Sequence, residues 1–440
     1  MNKLTFSIII YFSIITFSLK AQDNLSLDKA LSYALDNNFE IAITKLNDSI
    51  AKTNNSWAAA GALPIISFSG VSSNTRNFDI DQTTTPNQPA GNNTVAALSA
   101  GVNLNWVLFD GFKVRIRKEK FEQLEAISNG NSLAVIEATL QSTIRAYYQT
   151  LIEKEKLKVY EFIQKISADR YEYEKIKKEY GNSTSFDESR AKTVFMSDKA
   201  NYINQKAVYN NSIRNLKYTL NLPDSISINL TDSLSAPNAD FDSVQLVNDF
   251  IANNSNLKTM YINLELQKNE IKMAKADYYP TLTLSAGSDY THTYIGYEEI
   301  KSTNTGADAY AKLALNYTIF KAGYRKRAVA IAQISETITT IEIEDMKRSL
   351  SNHLYNTLDL YKTQKEMLSA TQESFKAAAL NLELADEKFK NGTINSFNYR
   401  DIQLNYQQAA LSILNTEGNL INSYTELLRL SGKIVSESKN

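Results

Sequence analysis

Residues able to do chemistry are few in this chain, and their spacing does not suit catalysis. None of the 440 residues is cysteine, which excludes thiol nucleophiles, zinc–thiolate sites, disulfide staples and an acylated N-terminal cysteine. The two histidines, His292 and His353, lie in unrelated contexts, and two imidazoles do not make a typical catalytic metal site without carboxylates placed to help. No glycine loop suited to cradling phosphate and no nucleophile elbow is present. No enzyme activity, cofactor or metal is therefore expected. The formal charge is −1, or −3 once Lys3 and Lys20 are set aside. With no basic stripe interleaved with aromatics, no nucleic-acid partner is expected.

The carboxylates that stand out are Asp187 and Asp401, each just after a short glycine-bearing turn. Ser185-Phe186-Asp187-Glu188 reads as a capping box, and Asn395 or Ser396 can cap the helix that carries Asp401. Asp401 itself lies a turn into that helix, beyond the reach of capping, so a solvated face and a functional role both stay open. Gly181 and Gly392 suit the positive φ that helix ends require.

The elements that must position these residues are written twice, about 210 residues apart. Asn37-Asn38 recurs as Asn253-Asn254, and Leu63-Pro64 as Tyr279-Pro280. Leu108-Phe109-Asp110-Gly111 recurs as Ile319-Phe320-Lys321-Ala322-Gly323, and Tyr180-Gly181-Asn182-Ser183 is matched to Phe389-Lys390-Asn391-Gly392. A duplication this large means that each half repeats one structural job. Residues 1–21 are a different text: Lys3, then an apolar run to Leu19, then Ala21-Gln22 as a cleavage point, which is the pattern of an export signal. The expected organisation is a signal peptide at 1–21, a first repeat at 22–222, a proline-bearing linker at 223–240, a second repeat at 241–432 and a short tail at 433–440.

Four segments alternate with a period of two. In the second, Leu98, Ala100, Val102, Leu104, Trp106 and Leu108 oppose Ser99, Asn103 and Asn105. In the third, Leu282, Leu284 and Ala286 oppose Thr281, Thr283, Ser285 and Asp289. In the fourth, Ala309, Ala311, Leu313, Leu315, Tyr317 and Ile319 oppose Asp308, Lys312, Asn316 and Thr318. The first, from Pro64 to about Phe78, is weaker. Polar loops, Asp79 to Thr94 and Gly296 to Gly306, separate the members of each pair. At about 14 residues each strand can cross a bilayer at a steep tilt, and in an exported chain a dry outer and wet inner face is the pattern of a barrel wall. Lipid would meet Leu98, Val102, Leu104, Trp106, Leu282, Leu284, Leu313, Leu315 and Tyr317. The lumen would meet Ser99, Asn103, Asn105, Thr281, Thr283, Asp289, Lys312 and Asn316. Four strands cannot close a barrel, and open edges cannot sit in hydrocarbon, so two or three chains must share the wall.

Each strand pair leads into a long proline-free helical stretch, about Lys113 to Tyr180 and about Arg325 to Asn391, then a return helix, Phe186 to Leu222 and Phe397 to Leu430. Apolar residues repeat in sevens: Leu354, Tyr361, Leu368, Phe375, Leu382 and Phe389 in one half, Ile152, Val159, Ile166, Tyr173 and Tyr180 in the other. On the return helices Phe195, Tyr202, Tyr209 and Leu216 match Tyr406, Ile413, Leu420 and Leu427. Strict sevens indicate left-handed coiled pairing with a thin seam.

Export signal, duplicated half, paired strands, the Phe109-Asp110-Gly111 exit and long hairpins together resemble the TolC family of outer-membrane efflux proteins. Leu-Ser-Leu-Asp-Lys-Ala-Leu at residues 25–31 and the residues before Pro64 and Pro280 add to the likeness, which covers Leu25 to Leu430. The resemblance implies a mainly α fold with a β-barrel portion: a homotrimer whose twelve-stranded outer-membrane barrel, four strands per chain, continues as a periplasmic helical barrel. It implies a passive duct in a tripartite efflux or type I secretion system, fed by an inner-membrane pump of RND or ABC type through a periplasmic adaptor. It places adaptor contacts at Gly181, Asn182, Ser183, Gly392, Thr393 and Ile394, and a periplasmic aperture at Asp401, Asn398, Asp187 and Phe389. The family's turn carries two aspartates, of which the first is here Asn398. The tyrosine that usually faces the first turn's aspartate falls at Phe389, and the usual arginine is Ile394, so the gate's location carries over and its bonding does not. The rival readings are a secreted pore-forming toxin or adhesin and a periplasmic coiled-coil scaffold.

Overall fold

The computed structural model describes residues 23–78, 92–296 and 301–437. The expected signal peptide at 1–21 and most of the first strand–strand loop lie outside the described residues. Six strands and nine helices are seen among them. The first half runs β1 (Asp23–Leu25), α1 (Leu27–Asn37), α2 (Phe39–Asn54), β2 (Ile65–Asn77), β3 (Asn93–Phe109), α3 (Lys113–Glu179) and α4 (Ser185–Thr219). After β4 (Ile228–Leu230), the second runs α5 (Ser243–Asn253), α6 (Ser255–Ala276), β5 (Thr281–Gly296), β6 (Lys301–Asn316), α7 (Tyr324–Lys390) and α8 (Ser396–Leu430), closed by α9 (Ile434–Glu437). The long helices α3 and α7 have 67 residues each, and the return helices α4 and α8 have 35 each. No helix among the described residues is long and apolar enough to cross a membrane.

The chain divides into two compact units. One contains Asn47–Asn129 and Thr259–Glu344, and its centre is a four-stranded antiparallel sheet in the order β2-β3-β5-β6. Strand β6 begins at Lys301, so the polar segment expected to loop as far as Gly306 is partly strand. The same strand stops at Asn316, which leaves Tyr317 just beyond the sheet. A bulge between Val107 and Phe109 shifts the register, so that Phe109 pairs with Leu282 and Leu108 drops out of the apolar row. A bulged residue reverses the alternation after it, and period-two reading cannot see that.

The other unit contains the described residues up to Leu46 together with Gly130–Lys258 and Asp345–Asn440. Its core gathers Leu25, Ala30, Ala34, Tyr147, Leu151, Leu216, Leu220 and Leu230. The linker at 223–240 is more structured than its prolines suggest. Within it, β4 pairs in parallel with β1, and Tyr147 Oη donates to the Leu25 carbonyl at 3.0 Å and to Asp232 at 2.9 Å. Tyr361, expected as a coil residue, also holds the linker: its hydroxyl donates to the Ala239 carbonyl at 2.8 Å.

Of the heptad in α7, Leu354, Tyr361, Leu382 and Phe389 are buried, with Leu368 and Phe375 half-buried between them. The expected partner row in α3 is different. Ile152 is buried, Val159, Ile166 and Tyr173 are half-buried, and Tyr180 is 78% exposed. Ile163, Ser167, Arg170 and Glu174 are the more deeply buried line of α3 there, while Ile166 and Tyr173 pack against Leu382, Ala385, Phe389 and Tyr399.

Candidate functional site

In the sheet, directly opposed residues of antiparallel strands share a face. The register therefore sorts the candidate wall residues without reference to hydropathy. Leu104 opposes Ile66 and Ala286, Trp106 opposes Leu284, Leu284 opposes Leu313, and Leu282 opposes Leu315, all on one face. Val102 and Leu98 continue that face beside Phe68 and Ser72. It is less uniformly apolar than expected, because Ser288 and His292 also fall on it, His292 sharing a 2.8 Å hydrogen bond with Thr305. On the opposite face Asn103 opposes Ser67 and Gly287, Asn105 opposes Ser285, Ser285 opposes Lys312, and Thr281 opposes Asn316. Ser99 and Asp289 belong to this face as well, Asp289 opposite Gly101.

The wet face is a bonded surface. Tyr310 Oη donates to Asn103 Oδ1 at 2.7 Å across β5, and Asn103 Nδ2 donates to Ser69 at 3.3 Å. Glycine at 287 permits this, since a Cβ there would lie 2.8 Å from Asn103 Oδ1 and 2.9 Å from Tyr310 Oη. Tyr310 was missed in the sequence because it is aromatic, although its even position among Asp308 and Lys312 carried the signal.

In the other unit, the turns after α3 and α7 share one design. Gly181 and Gly392 adopt φ of 75° and 72°. Gly181 N donates to Lys178 O and Asn182 N to Lys177 O, and Gly392 N and Thr393 N repeat this with Phe389 O and Lys388 O. These bonds satisfy carbonyls that a helix end leaves open. They also correct the alignment: Gly181 corresponds to Gly392, so Phe389 is not the counterpart of Tyr180. Asn182 and Thr393 are exposed and Ser183 donates to Glu174 at 2.8 Å.

Asp187 is a capping residue. Thr184, not Ser185, is the N-cap of α4, with Asp187 N donating to Thr184 Oγ1 and Asp187 Oδ2 accepting from Thr184 N at 3.4 Å and Oγ1 at 2.6 Å. Those bonds hold its carboxyl below the usual carboxylate range. Asn395 caps α8 by accepting from Asn398 N at 2.9 Å. Asn398 and Asp401 are exposed, and Asp401 accepts from Asn405 at 3.4 Å.

Phe389 departs furthest from expectation. Within the single chain it is 9% exposed, stacks on Tyr399 at 4.7 Å and meets Tyr173 edge-on at 5.4 Å. Ile394, expected on the contact surface of the turn, packs against the same cluster with Leu382 and Ala385. Both are apolar and lie close to a turn, so they fold back into the nearest dry contact. Tyr399 Oη donates to Asp386 at 3.0 Å, and burial together with that carboxylate pushes the phenol well above its ordinary range. A groove of about 640 Å³ opens beside these rings, bordered also by Phe162, Ile166 and Tyr406.

Three ionic residues that no motif marks hold this region. Arg400 donates through both terminal nitrogens to Asp198, at 2.7 and 2.8 Å, and Asp198 is 2% exposed. Arg170, 3% exposed, donates to the Ser396 carbonyl at 3.4 Å; burial and then the charge of Arg400 lower its affinity for its proton. The exposed apolar residues of the turns are Tyr180, Phe186 and Phe397, the last with the Arg190 guanidinium 5.1 Å from its ring centre.

A family model described as outer membrane efflux protein matches residues 30–221 and, separately, residues 246–433. The chain belongs to this family. The double match falls on the two halves, whose long and return helices agree in length, and an outer membrane efflux protein forms a duct through which material leaves across the outer membrane. Among solved structures, the Campylobacter jejuni CmeC outer membrane channel is similar at 16% identity and TM-score 0.74, covering 92% of this chain and 85% of that one. The Vibrio cholerae outer membrane protein VceC is similar at 14% identity and TM-score 0.71, covering 92% and 96%. The open state of the Neisseria gonorrhoeae MtrE outer membrane channel is similar at 15% identity and TM-score 0.71, covering 93% and 89%. These likenesses establish the fold of this efflux protein. A search of curated protein sequences found no match.

Proposed function

We propose that three copies of this efflux protein close one twelve-stranded outer-membrane barrel and act as a passive duct for an inner-membrane pump, RND or ABC type, coupled through a periplasmic adaptor. The observation that carries this is the sheet itself. Strands β2 and β6 each have one neighbour among the described strands, and the register keeps one face predominantly apolar and the other polar. Unpaired edges in hydrocarbon cost several kcal/mol per orphaned group, so copies must supply the missing neighbours. On this reading the face bearing Leu98, Val102, Leu104, Trp106, Leu282, Leu284, Leu313 and Leu315 meets lipid, with Tyr317 at its margin. The face bearing Ser99, Asn103, Asn105, Thr281, Thr283, Asp289, Lys312 and Asn316 lines the lumen. The two sequence repeats, 22–222 and 241–432, each contribute two strands and one hairpin, and residues 1–21 are removed on export. The chain performs no chemistry.

The turns are the adaptor surface, with Gly181, Asn182, Ser183, Gly392 and Thr393 as its backbone and exposed Tyr180, Phe186 and Phe397 as its apolar contacts. Ile394 supports that surface from inside. Asp401 and Asn398 form rings at the periplasmic mouth, where symmetry multiplies each residue by three. Asp187 shapes the mouth by fixing the start of α4, and Phe389 by packing behind it. The direct test is the mass of the detergent-solubilised protein together with membrane fractionation. A trimer in the outer-membrane fraction is expected. A monodisperse monomer with an intact β-sheet signal, or protein released without detergent, refutes the reading.

A further inference from the structure

The junction between strand and long helix is built twice, and the two copies treat charge differently. In the first copy every cation has a carboxylate partner: Lys113 with Asp277, Arg115 with Glu119, Arg117 with Asp110, Lys118 with Glu122 and Lys120 with Glu270. In the second copy Lys321, Arg325, Lys326 and Arg327 fall within seven residues, and the sequence holds no carboxylate between Asp308 and Glu336. Lys321 even occupies the position that Asp110 holds in the first copy, 211 residues earlier. Among the described residues, none of these four cations has a carboxylate ion pair. Lys321 Nζ lies 4.1 Å from the centre of the Tyr324 ring, Arg325 donates to the Thr318 carbonyl and lies over Tyr278 and Tyr317, and Arg327 donates to the Ala322 carbonyl at 3.0 Å. Lys326 is exposed.

This unbalanced charge adjoins apolar surface. Leu313 and Leu315 on β6 are 61% and 68% exposed, and Ile319 and Phe320, next along the chain, are 85% and 83% exposed. Tyr317 lies among the apolar residues with the Arg325 guanidinium over its ring, and Tyr324 lies among the cations with Lys321 over its ring; tyrosine is the residue type that tolerates one wet and one dry end. An exposed apolar strip, Leu313 to Phe320, that runs directly into uncompensated cations matches an amphiphile with an acyl tail and an anionic head.

We infer that the segment Tyr317–Arg327 is a phospholipid-binding surface that selects anionic glycerophospholipid headgroups in the membrane leaflet on the helical side of the sheet. The inference rests on the membrane reading above. Lipid with a net negative head supplies the counter-charge that this copy of the junction lacks, while its tails cover Leu313, Leu315, Ile319 and Phe320. The first copy is already neutralised, by its own Asp110, Glu119 and Glu122 and by Glu270 and Asp277 of the second repeat, and does not select.

The test is native mass spectrometry of the detergent-solubilised assembly, scoring retained phosphatidylglycerol against phosphatidylcholine. A cation near a membrane surface contributes roughly fivefold in binding to anionic lipid. The variant K321Q/K326Q/R327Q, which leaves Arg325 and its bond to Thr318 in place, should lower the phosphatidylglycerol preference by at least about tenfold. Arg115→Gln, from the paired copy, should change it by less than about twofold, and the charge-keeping K321R/K326R/R327K should preserve it. An unchanged preference in the neutral variant overturns the inference. So does a neutral variant that falls apart equally in both lipids, because these cations would then pair with carboxylates of a second copy. Wild-type protein that stays in solution without detergent and retains neither lipid refutes the membrane reading itself, a distinct result.

Discussion

Neutralising Asp198 should loosen the turn region more than any other single polar change there. Asp198 is almost fully enclosed, and the Arg400 side chain that grips it is 19% exposed. Two charge-assisted hydrogen bonds at 2.7 and 2.8 Å join them. Bonds to charged groups contribute about 1.5–3 kcal/mol each, and breaking a buried pair from one side costs about 3–5 kcal/mol because the remaining charge is stranded. Here the stranded group would be the Arg400 guanidinium, whose charge already opposes the protonation of a second buried one, Arg170. Asp198→Asn keeps the shape and can still accept one bond, so the expected loss is about 3 kcal/mol, at the low end of that range. The double variant D198L/R400L removes both charges and should recover most of the loss, leaving about 1–2 kcal/mol, since buried pairs are often replaceable by apolar residues. Denaturant unfolding of the solubilised protein, followed by helical circular dichroism, measures Asp198→Asn beside the closed cycle of D198L, R400L and D198L/R400L. If Asp198→Asn costs less than about 1 kcal/mol, or if the double variant is no better than the singles, the pair does not hold the helices as argued.

Four further outcomes are expected. Leu104→Arg should impair membrane assembly by about 2–4 kcal/mol at mid-bilayer depth, whereas Asn103→Arg on the opposite face should assemble; equal behaviour in a heat-modifiability gel counts against the face assignment. Asp401→Asn should lower cation selectivity and weaken block by trivalent cations in planar-bilayer recordings, and unchanged currents would place Asp401 on a solvated outer face. Glu426 should make stability depend on acid. Burial opposes its charge, but hydrogen bonds from Arg429, Gln141 and His353 outweigh burial and hold its pKa down, from 4.5 to about 2. Its folded value is depressed, so its contribution is present above about pH 4.5 and is lost as pH falls toward 2, amounting to about 3 kcal/mol; Glu426→Gln should flatten that stretch of the stability–pH curve. Finally, Gly111→Ala should destabilise by more than Gly392→Ala. Both require positive φ, but a Cβ at Gly111 would sit 2.5 Å from the Ala276 carbonyl oxygen while one at Gly392 meets nothing within 4 Å, so about 1–2 kcal/mol is expected at Gly392 and more at Gly111, read from unfolding midpoints.

The sorting of strand residues onto two faces of the sheet was legible from residue order. It follows from side-chain alternation, and the pairing of Leu104 with Ala286 and of Asn103 with Gly287 agrees with it. The turns follow from Gly181 and Gly392. What eluded that reading has specific causes. The cap of α4 fell on Thr184 because that residue, with φ −94° and ψ 159°, is the last extended one, and Ser185 is equally suited by type. Phe389 was expected at the aperture because the family resemblance puts a gate tyrosine at its position, and a position carried over in this way does not say what the side chain packs against in one chain. The Leu108 bulge and the strand within the linker leave no mark in hydropathy. Arg400 and Asp198 are 202 residues apart, and an arginine in a polar helix reads as a solvated charge until its partner is seen.

The sequence by itself determined the class of architecture. Local periodicity is a physical record of what each segment faces: a period of two requires a sheet with unlike sides, a period of seven requires helices wound in pairs, and repetition of the whole order requires the same job done twice. Tertiary structure decided which residues of those segments are available to act. Whether Phe389 borders an aperture or fills a core, whether Asp187 gates or caps, and whether Arg400 is solvated or clasped depends on neighbours brought together from distant parts of the chain. Burial and pairing energies depend on those neighbours, and one strand or helix carries no information about them.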